Sequence, residues 1–307
     1  MAASSQRRDN RELSLRVLVS VALALGVSLG ASTGFSSLKI LPGVREAGMA
    51  GTGVASAFGP QAIALNPAAG ATIGDFAATA SYAKWILDTR HQSLFVTRNF
   101  RALSIGAGFA SFSAGQFEYR DKPTEEPIGT FTPTDLTAYL NLARSLGDKV
   151  QVGLTARYFY TRVYNHDAAG LGVDGGVRVT PAKGLTLGAS VVDFGRTMYY
   201  VREVFWLPTR GRLGASYDFI PFERGRLTVA ADGSYFFYGQ TPGAAAGLEF
   251  AWNEVVALRA GYDFLSEANH LDFGLGLQAG VFRFDYSYAP MGFGLGGAHR
   301  VSVGISR

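Results

Sequence analysis

From Asp75 to the C-terminus, apolar side chains alternate with small or polar ones, segment after segment. Phe282, Phe284, Tyr286 and Tyr288 interleave with Arg283, Asp285 and Ser287, and Val256, Leu258, Ala260 and Tyr262 interleave with Arg259 and Gly261. Successive residues of a strand face opposite ways, so each segment carries one apolar and one polar face. The pattern predicts about fourteen strands, at roughly 74–83, 90–99, 101–121, 135–145, 149–161, 168–179, 184–193, 209–219, 226–237, 243–252, 255–264, 269–279, 281–289 and 297–306. The third is either one strand bulged near Ser113–Gly115 or two strands. Most are close to the ~9–11 residues that a tilted strand needs to cross a bilayer.

The connections alternate between two classes. Short ones fall at Asn99–Arg101, Gly147–Lys149, Pro181–Gly184, Ile220–Gly225, Asn253–Glu254 and Ala279–Gly280. Longer ones fall at Lys84–Thr89, Lys122–Thr134, Arg162–Asp167, Gly195–Pro208, Gly239–Pro242, Leu265–Ala268 and Pro290–Gly296. Outer-membrane barrels alternate short periplasmic turns with longer outside loops, and an even strand count returns both the N- and the C-terminus to the periplasm, where a chain freed of its signal peptide starts. The expectation is an all-β protein, a transmembrane antiparallel barrel of about fourteen strands.

Continuing the alternation puts Arg157, Arg178, Arg212, Arg259, Arg283 and Arg300 on the polar face. Asp174, Asp218, Asp232, Glu249, Asp263, Asp272 and Asp285 share that face. In a lipid-embedded barrel these charges line the lumen, and the near balance of signs predicts paired charges rather than a single-sign channel. Tyr160, Tyr262, Phe264, Tyr286 and Tyr288 fall near the outer strand ends, and Phe219 and Trp252 near the inner ends, where interfacial girdles belong.

Composition agrees and narrows the chemistry. Charged residues make up 17% of the chain, below the globular average of about 25%. Cysteine is absent, which removes disulfides, thiolate metal sites and thiol nucleophiles. Arg7, Arg8, Arg11 and Arg16 precede the apolar run Val17–Leu29 and a Gly-Ala-Ser stretch, the order of a secretory signal peptide over 1–32. Removing 1–32 takes away four arginines and two acids, so the net charge falls from +4 to +2. No bulk basic charge then remains to argue for nucleic acid.

Residues 33–73 break the alternation. The run from Leu41 to Ala71 is crowded with Gly and Ala and carries an Asn-Pro pair, a turn former. An empty fourteen-strand lumen would be wet. The expected organisation is therefore a signal peptide at 1–32, a hatch or plug at 33–73, and the barrel at 74–307.

Gly43-Val44-Arg45-Glu46-Ala47-Gly48-Met49-Ala50-Gly51, followed by Asn66-Pro67-Ala68-Ala69-Gly70, resembles the N-terminal signature of the PorV/PorQ family. His299-Arg300-Val301-Ser302-Val303-Gly304 is similar to that family's ending. The resemblance implies a FadL-like fourteen-strand outer-membrane barrel with an N-terminal hatch, whose motif positions here are Arg45, Gly48, Met49, Gly51, Asn66, Pro67 and Gly70. It also implies a non-enzymatic role docking a type IX-like secretion translocon or its cargo. The sequence departs from the pattern at Ala50, at Phe58-Gly59-Pro60-Gln61 where an acidic pair is expected, and at its non-aromatic end Ile305-Ser306-Arg307.

Neither a metal nor a nucleophile motif emerges. His91, His166, His270 and His299 lie in separate segments without ligand spacing, and no G-x-S-x-G elbow occurs. No cofactor is expected. Two loops are apolar: one holds Tyr199, Tyr200, Phe205 and Trp206, the other Met291, Phe293 and Leu295. Apolar loops mark partner or ligand sites, or close over the barrel mouth. Besides outer-membrane lipid, the expected partner is a larger translocon or secreted cargo. The alternative is passive transport of a hydrophobic small molecule.

Overall fold

The computed structural model describes residues 36–85, 88–101, 103–119, 126–197, 205–266, 269–292, 294 and 296–307. The expected signal segment 1–32 and the loop residues Tyr199, Tyr200, Phe293 and Leu295 lie outside them. Sixteen strands follow the N-terminal segment: β1 (Phe76–Lys84), β2 (Arg90–Phe100), β3 (Leu103–Ser113), β4 (Phe117–Tyr119), β5 (Gly129–Phe131), β6 (Thr134–Leu146), β7 (Val150–Val163) and β8 (His166–Ala182). The second half comprises β9 (Leu185–Thr197), β10 (Arg210–Phe222), β11 (Gly225–Phe236), β12 (Thr241–Trp252), β13 (Val256–Asp263), β14 (Leu271–Ala279), β15 (Phe282–Pro290) and β16 (Gly297–Ser306).

Fourteen of these close into one antiparallel barrel in sequence order, β6 pairing β3 and β16 returning to β1. The remaining two, β4 and β5, form a separate ribbon in the β3–β6 loop, so the long third segment ends at Ser113 and is two strands. Aromatic rings bind the ribbon to the β7–β8 turn, Tyr119 stacking on Tyr164 at 4.6 Å and Phe131 meeting the same ring edge-on at 5.6 Å. That turn corrects one expectation. The supposed longer connection Arg162–Asp167 is only Tyr164 and Asn165, because β7 and β8 continue to the pair Val163–His166. Tyr164 takes φ 56° there, the left-handed conformation that lets so short a turn match the twist of its strands.

The burial pattern is inverted relative to a water-soluble protein. Leu213 is 68% and Phe194 63% exposed on the outer face, whereas Arg157 is 3% and Asp174 0% exposed inside. An apolar exterior around a charged interior is stable only where lipid replaces water outside. Tyr262, Phe264, Tyr286, Phe219 and Trp252 are exposed near the strand ends, at girdle positions.

The lumen is filled by the N-terminal segment. It is built from 3₁₀ turns at Ser36–Lys39, Pro60–Ala64 and Pro67–Thr72 and a single helical turn, α1 (Val44–Ala47). Ser37 bonds Asp135 at 2.5 Å at the loop end, while Phe76 at the far end exchanges backbone bonds with Arg307. The segment therefore crosses the lumen from the long-loop end to the short-turn end. The first described residues and the C-terminus thus lie at opposite ends of the barrel.

Candidate functional site: a hatch bonded across the lumen

Little of the hatch is regular secondary structure, so its buried backbone groups need partners elsewhere. The wall supplies them as side chains. Asp232 on β11 accepts the backbone N–H groups of Gly53 and Val54 at 2.8 and 3.0 Å. Arg212 on β10 donates to the Gly51 carbonyl at 2.7 Å, and Arg178 on β8 donates to the carbonyls of Ala57, at 2.8 Å, and Ala55. Ser190 donates to the Leu65 carbonyl at 2.9 Å, and Asn141 to the Pro67 carbonyl at 3.1 Å.

Close approach is made possible by glycines on the wall. A Cβ at Gly261 or Gly247 would collide with Met49, one at Gly153 with the Pro67 carbonyl, and one at Gly188 with the Val54 carbonyl. Met49 is completely buried in that recess. Gly48 meets Gly274 backbone to backbone, and Gly70 lies against the Asn141 amide. Asn66 begins the last 3₁₀ turn. Its Oδ1 accepts from Ala68 N–H at 3.0 Å, and its Nδ2 donates to the Val54 and Val177 carbonyls at 2.8 and 3.2 Å. Pro67 follows at the first position of the turn, where its missing N–H is not needed.

Two ion-pair clusters lock the rest. In the first, Arg45 grips Glu249 on β12 with both arms, Nε to Oε2 at 2.9 Å and Nη2 to Oε1 at 2.8 Å. Glu249 also accepts from Arg259 on β13 at 2.6 Å, and Arg259 reaches Asp285 on β15 at 2.9 Å. Asp285 in turn holds Arg283 at 2.8 Å. Burial pulls the Arg45 guanidinium toward losing its proton, but Glu249 and Glu46 outweigh it and hold the group above its ordinary value. Phe58 lies between the Arg45 and Arg283 guanidiniums, each 4.4 Å from its ring centre. An aromatic ring thus accepts two cations.

The second cluster sits where the wall is irregular. Between Val173–Phe194 and Gly175–Val191 the β8–β9 register slips, and Asp193 takes φ 58° in the bulge. Arg157 bonds Asp174, Asp193 at 2.6 Å and the hatch carbonyl of Ala64 at 2.9 Å, and stacks 4.8 Å over the Tyr139 ring. Asp193 was not among the expected luminal charges. Its signal is the Val191-Val192 doublet, which interrupts strict alternation just before it.

Not every expected charge joins these clusters. Asp218 is exposed near the short-turn end, where its carboxylate accepts from Thr228 at 2.5 Å, and Asp263 caps the turn at Leu265 and Ser266. Both lie at strand ends, where inward-facing positions leave the lumen. Asp272 accepts from Asn269 at 3.0 Å, and Arg300 lies 4.4 Å over the Trp85 ring. Of the expected loop residues, Trp206 stacks on Tyr238 at 5.3 Å, Phe205 is half-buried beside it, and Met291 lines a luminal cavity.

Two cavities meet at the β10–β11 wall, the first against the hatch and the second outside it. One of about 400 Å³ opens in the loop-end half of the lumen, between hatch residues Lys39, Leu41, Ala47 and Ala50 and the wall. The other, about 720 Å³, is an apolar notch in the outer wall across β8–β11, left by the small residues Gly175, Ala189, Gly211 and Gly233. Arg212 and Ser234 line both. Among the described residues, no cluster of His, Cys, Asp and Glu is arranged to hold a metal ion.

These features define a membrane-spanning, fourteen-stranded β-barrel with its N-terminal segment bonded into the lumen. The chain shares this fold with the toluene transporter TodX of Pseudomonas putida (TM-score 0.63, 14% identity, covering 87% of this chain and 99% of that one). It is likewise similar to the CymD monoaromatic hydrocarbon channel (TM-score 0.59, 12% identity, 86% and 96% covered) and to a Pseudomonas aeruginosa FadL homologue (TM-score 0.54, 11% identity, 86% and 98% covered). No family model matches the chain, and no curated protein matches it in sequence.

Proposed function

We propose that the protein is a non-enzymatic outer-membrane channel that passes hydrophobic small molecules, as a FadL-like passive transporter. The observation that carries this reading is a luminal cavity beside the hatch and a notch in the outer wall, which approach each other across β10 and β11 at Arg212 and Ser234. A solute entering from the long-loop mouth would reach the luminal cavity first and leave through the notch into the bilayer. The fold shared with TodX and CymD, named for toluene and monoaromatic hydrocarbons, supports the same class of cargo. On this reading residues 1–32 are a removed signal peptide, 33–73 the hatch, and the long loops face outward with Arg307 periplasmic.

Uptake of radiolabelled toluene by cells producing the protein is the direct test. Uptake should exceed that of cells without it, and Gly233→Trp, which fills the notch without touching the hatch, should abolish the excess. Equal uptake in all three strains would sink the transport reading. The chain has no cysteine, so Asn165→Cys should react with a membrane-impermeant maleimide on intact cells and Gly280→Cys should not. Docking of a translocon or secreted cargo has one observation in its favour, the exposed Trp206 stacked on Tyr238 at the rim. Copurification of a large outer-membrane partner, lost in Trp206→Ala, would favour it.

A further inference from the structure

The loop-end luminal cavity carries more positive charge than its surroundings neutralise. Four cations line it: Lys39 from the hatch, Arg210 and Arg212 from β10, and Arg300 from β16. Arg212 alone has a carboxylate within reach, Asp232 at 3.5 Å. Among the described residues, no carboxylate lies within ion-pair distance of Lys39, Arg210 or Arg300; each is held against an aromatic ring instead. Lys39 and Arg210 lie 5.3 and 4.9 Å from the Phe236 ring centre, and Arg300 lies 4.4 Å from that of Trp85. Arg300 is 93% buried, as its 7% exposure gives, yet its Nε and Nη1 meet no acceptor; nor do Nε of Arg210 and Nε and Nη1 of Arg212.

The acids lining the same cavity are engaged largely by other donors, Asp232 Oδ1 alone being buried without one among the described residues. Asp232 takes the Gly53 and Val54 N–H groups, Asp263 those of Leu265 and Ser266, and Asp272 the Asn269 amide. A buried guanidinium without an acceptor is costly, and a planar carboxylate is the group that best fits its fork of donors. Beside the polar Ser234, Ser266 and Asn269, the lining has an apolar side that includes Leu41, Ala47, Ala244 and Met291, and about 400 Å³ is room for one small organic molecule.

We infer that this cavity binds a small organic carboxylate, its anionic group facing the Lys39, Arg210 and Arg300 side chains and its apolar body against the hatch. This names a further substrate class for the transport reading and rests on it: the cargo includes acidic molecules as well as neutral hydrocarbons. Benzoate and benzamide are a matched probe pair, nearly equal in shape and differing in charge. A site built around unpaired donors discriminates strongly against the analogue that lacks the complementary group.

Isothermal titration of the purified full chain in detergent should give saturable benzoate binding, with benzamide weaker by at least about tenfold. Arg300→Gln and Arg210→Gln should each weaken benzoate by a similar factor. Lys39→Gln, an exposed hatch position remote from strand pairing, provides a variant whose fold is not at stake and should also weaken it. Equal affinities for the two probes, no saturable benzoate heat, or undiminished binding in Lys39→Gln and Arg210→Gln together would overturn the assignment. The outcomes separate from those of the uptake test: benzoate binding without toluene uptake rejects hydrocarbon transport alone, and toluene uptake without benzoate binding rejects this site alone.

Discussion

Replacing Glu249 by Leu asks directly whether charge holds the hatch. The Glu249 carboxylate takes two N–H bonds from Arg45 and one from Arg259, at 2.9, 2.8 and 2.6 Å. All three side chains are almost wholly enclosed. Leucine removes every acceptor and leaves Arg45 with Glu46 and the Ser56 carbonyl, both at 3.2 Å. Breaking a buried ion pair from one side costs about 3–5 kcal/mol, most of it the stranded charge. Arg259 keeps Asp285 at 2.9 Å, so the loss belongs at the lower end, about 3 kcal/mol. Adding Arg45→Met removes the stranded charge as well. The double variant should recover about half of the loss, the remainder being the buried Glu46 carboxylate left without Arg45 and the missing Phe58 contact. Urea unfolding of the protein reconstituted in thin bilayers, followed by tryptophan fluorescence, measures each step. A single variant costing less than about 1 kcal/mol, or a double variant as unstable as the single one, would refute the reasoning.

Three further outcomes are expected. Gly261→Ala places a methyl on the Met49 backbone and should cost about 2–3 kcal/mol while exposing Arg45 to trypsin; Gly129→Ala, with open space at its Cβ, should do neither. Asn66→Ala removes a turn cap and two bonds to carbonyls, a loss of about 2 kcal/mol in the same urea titration. Phe58→Leu removes two guanidinium contacts and should cost about 1–2 kcal/mol, the effect vanishing when Arg45→Met and Arg283→Met are already present.

Strand alternation is a local signal, and it made the barrel legible. Fourteen segments, their approximate ends and the inward charges follow from residues one and two positions apart. The β7–β8 turn was hidden because Tyr164 and Asn165 are polar enough to pass for loop while flanking residues continue to pair. Arg45 and Glu249 could each be singled out, but their pairing joins positions 204 apart in sequence, which no local pattern encodes. The β9 bulge left a trace in Val191-Val192, two apolar neighbours where one should be polar. Arg210 was missed although it sits two residues before Arg212, on the same face of the same strand. Phe58 shows the reverse difficulty: a departure from a motif, read as weakening it, places an aromatic ring between two guanidiniums.

The hatch threads the lumen end to end before β1 begins, and the barrel closes only where β16 pairs with β1. Those two strands are the most distant in the chain, so their pairing is the contact with the highest loop-closure entropy. A segment bonded to strands from β1 round to β12 cannot be pushed into a finished ring. The order of events is thereby constrained: the N-terminal segment must already lie against the curling sheet when the seam closes. The inward arginines and carboxylates then act first as a template on which the sheet gathers, and a chain lacking residues 36–73 would close late or leave its seam open.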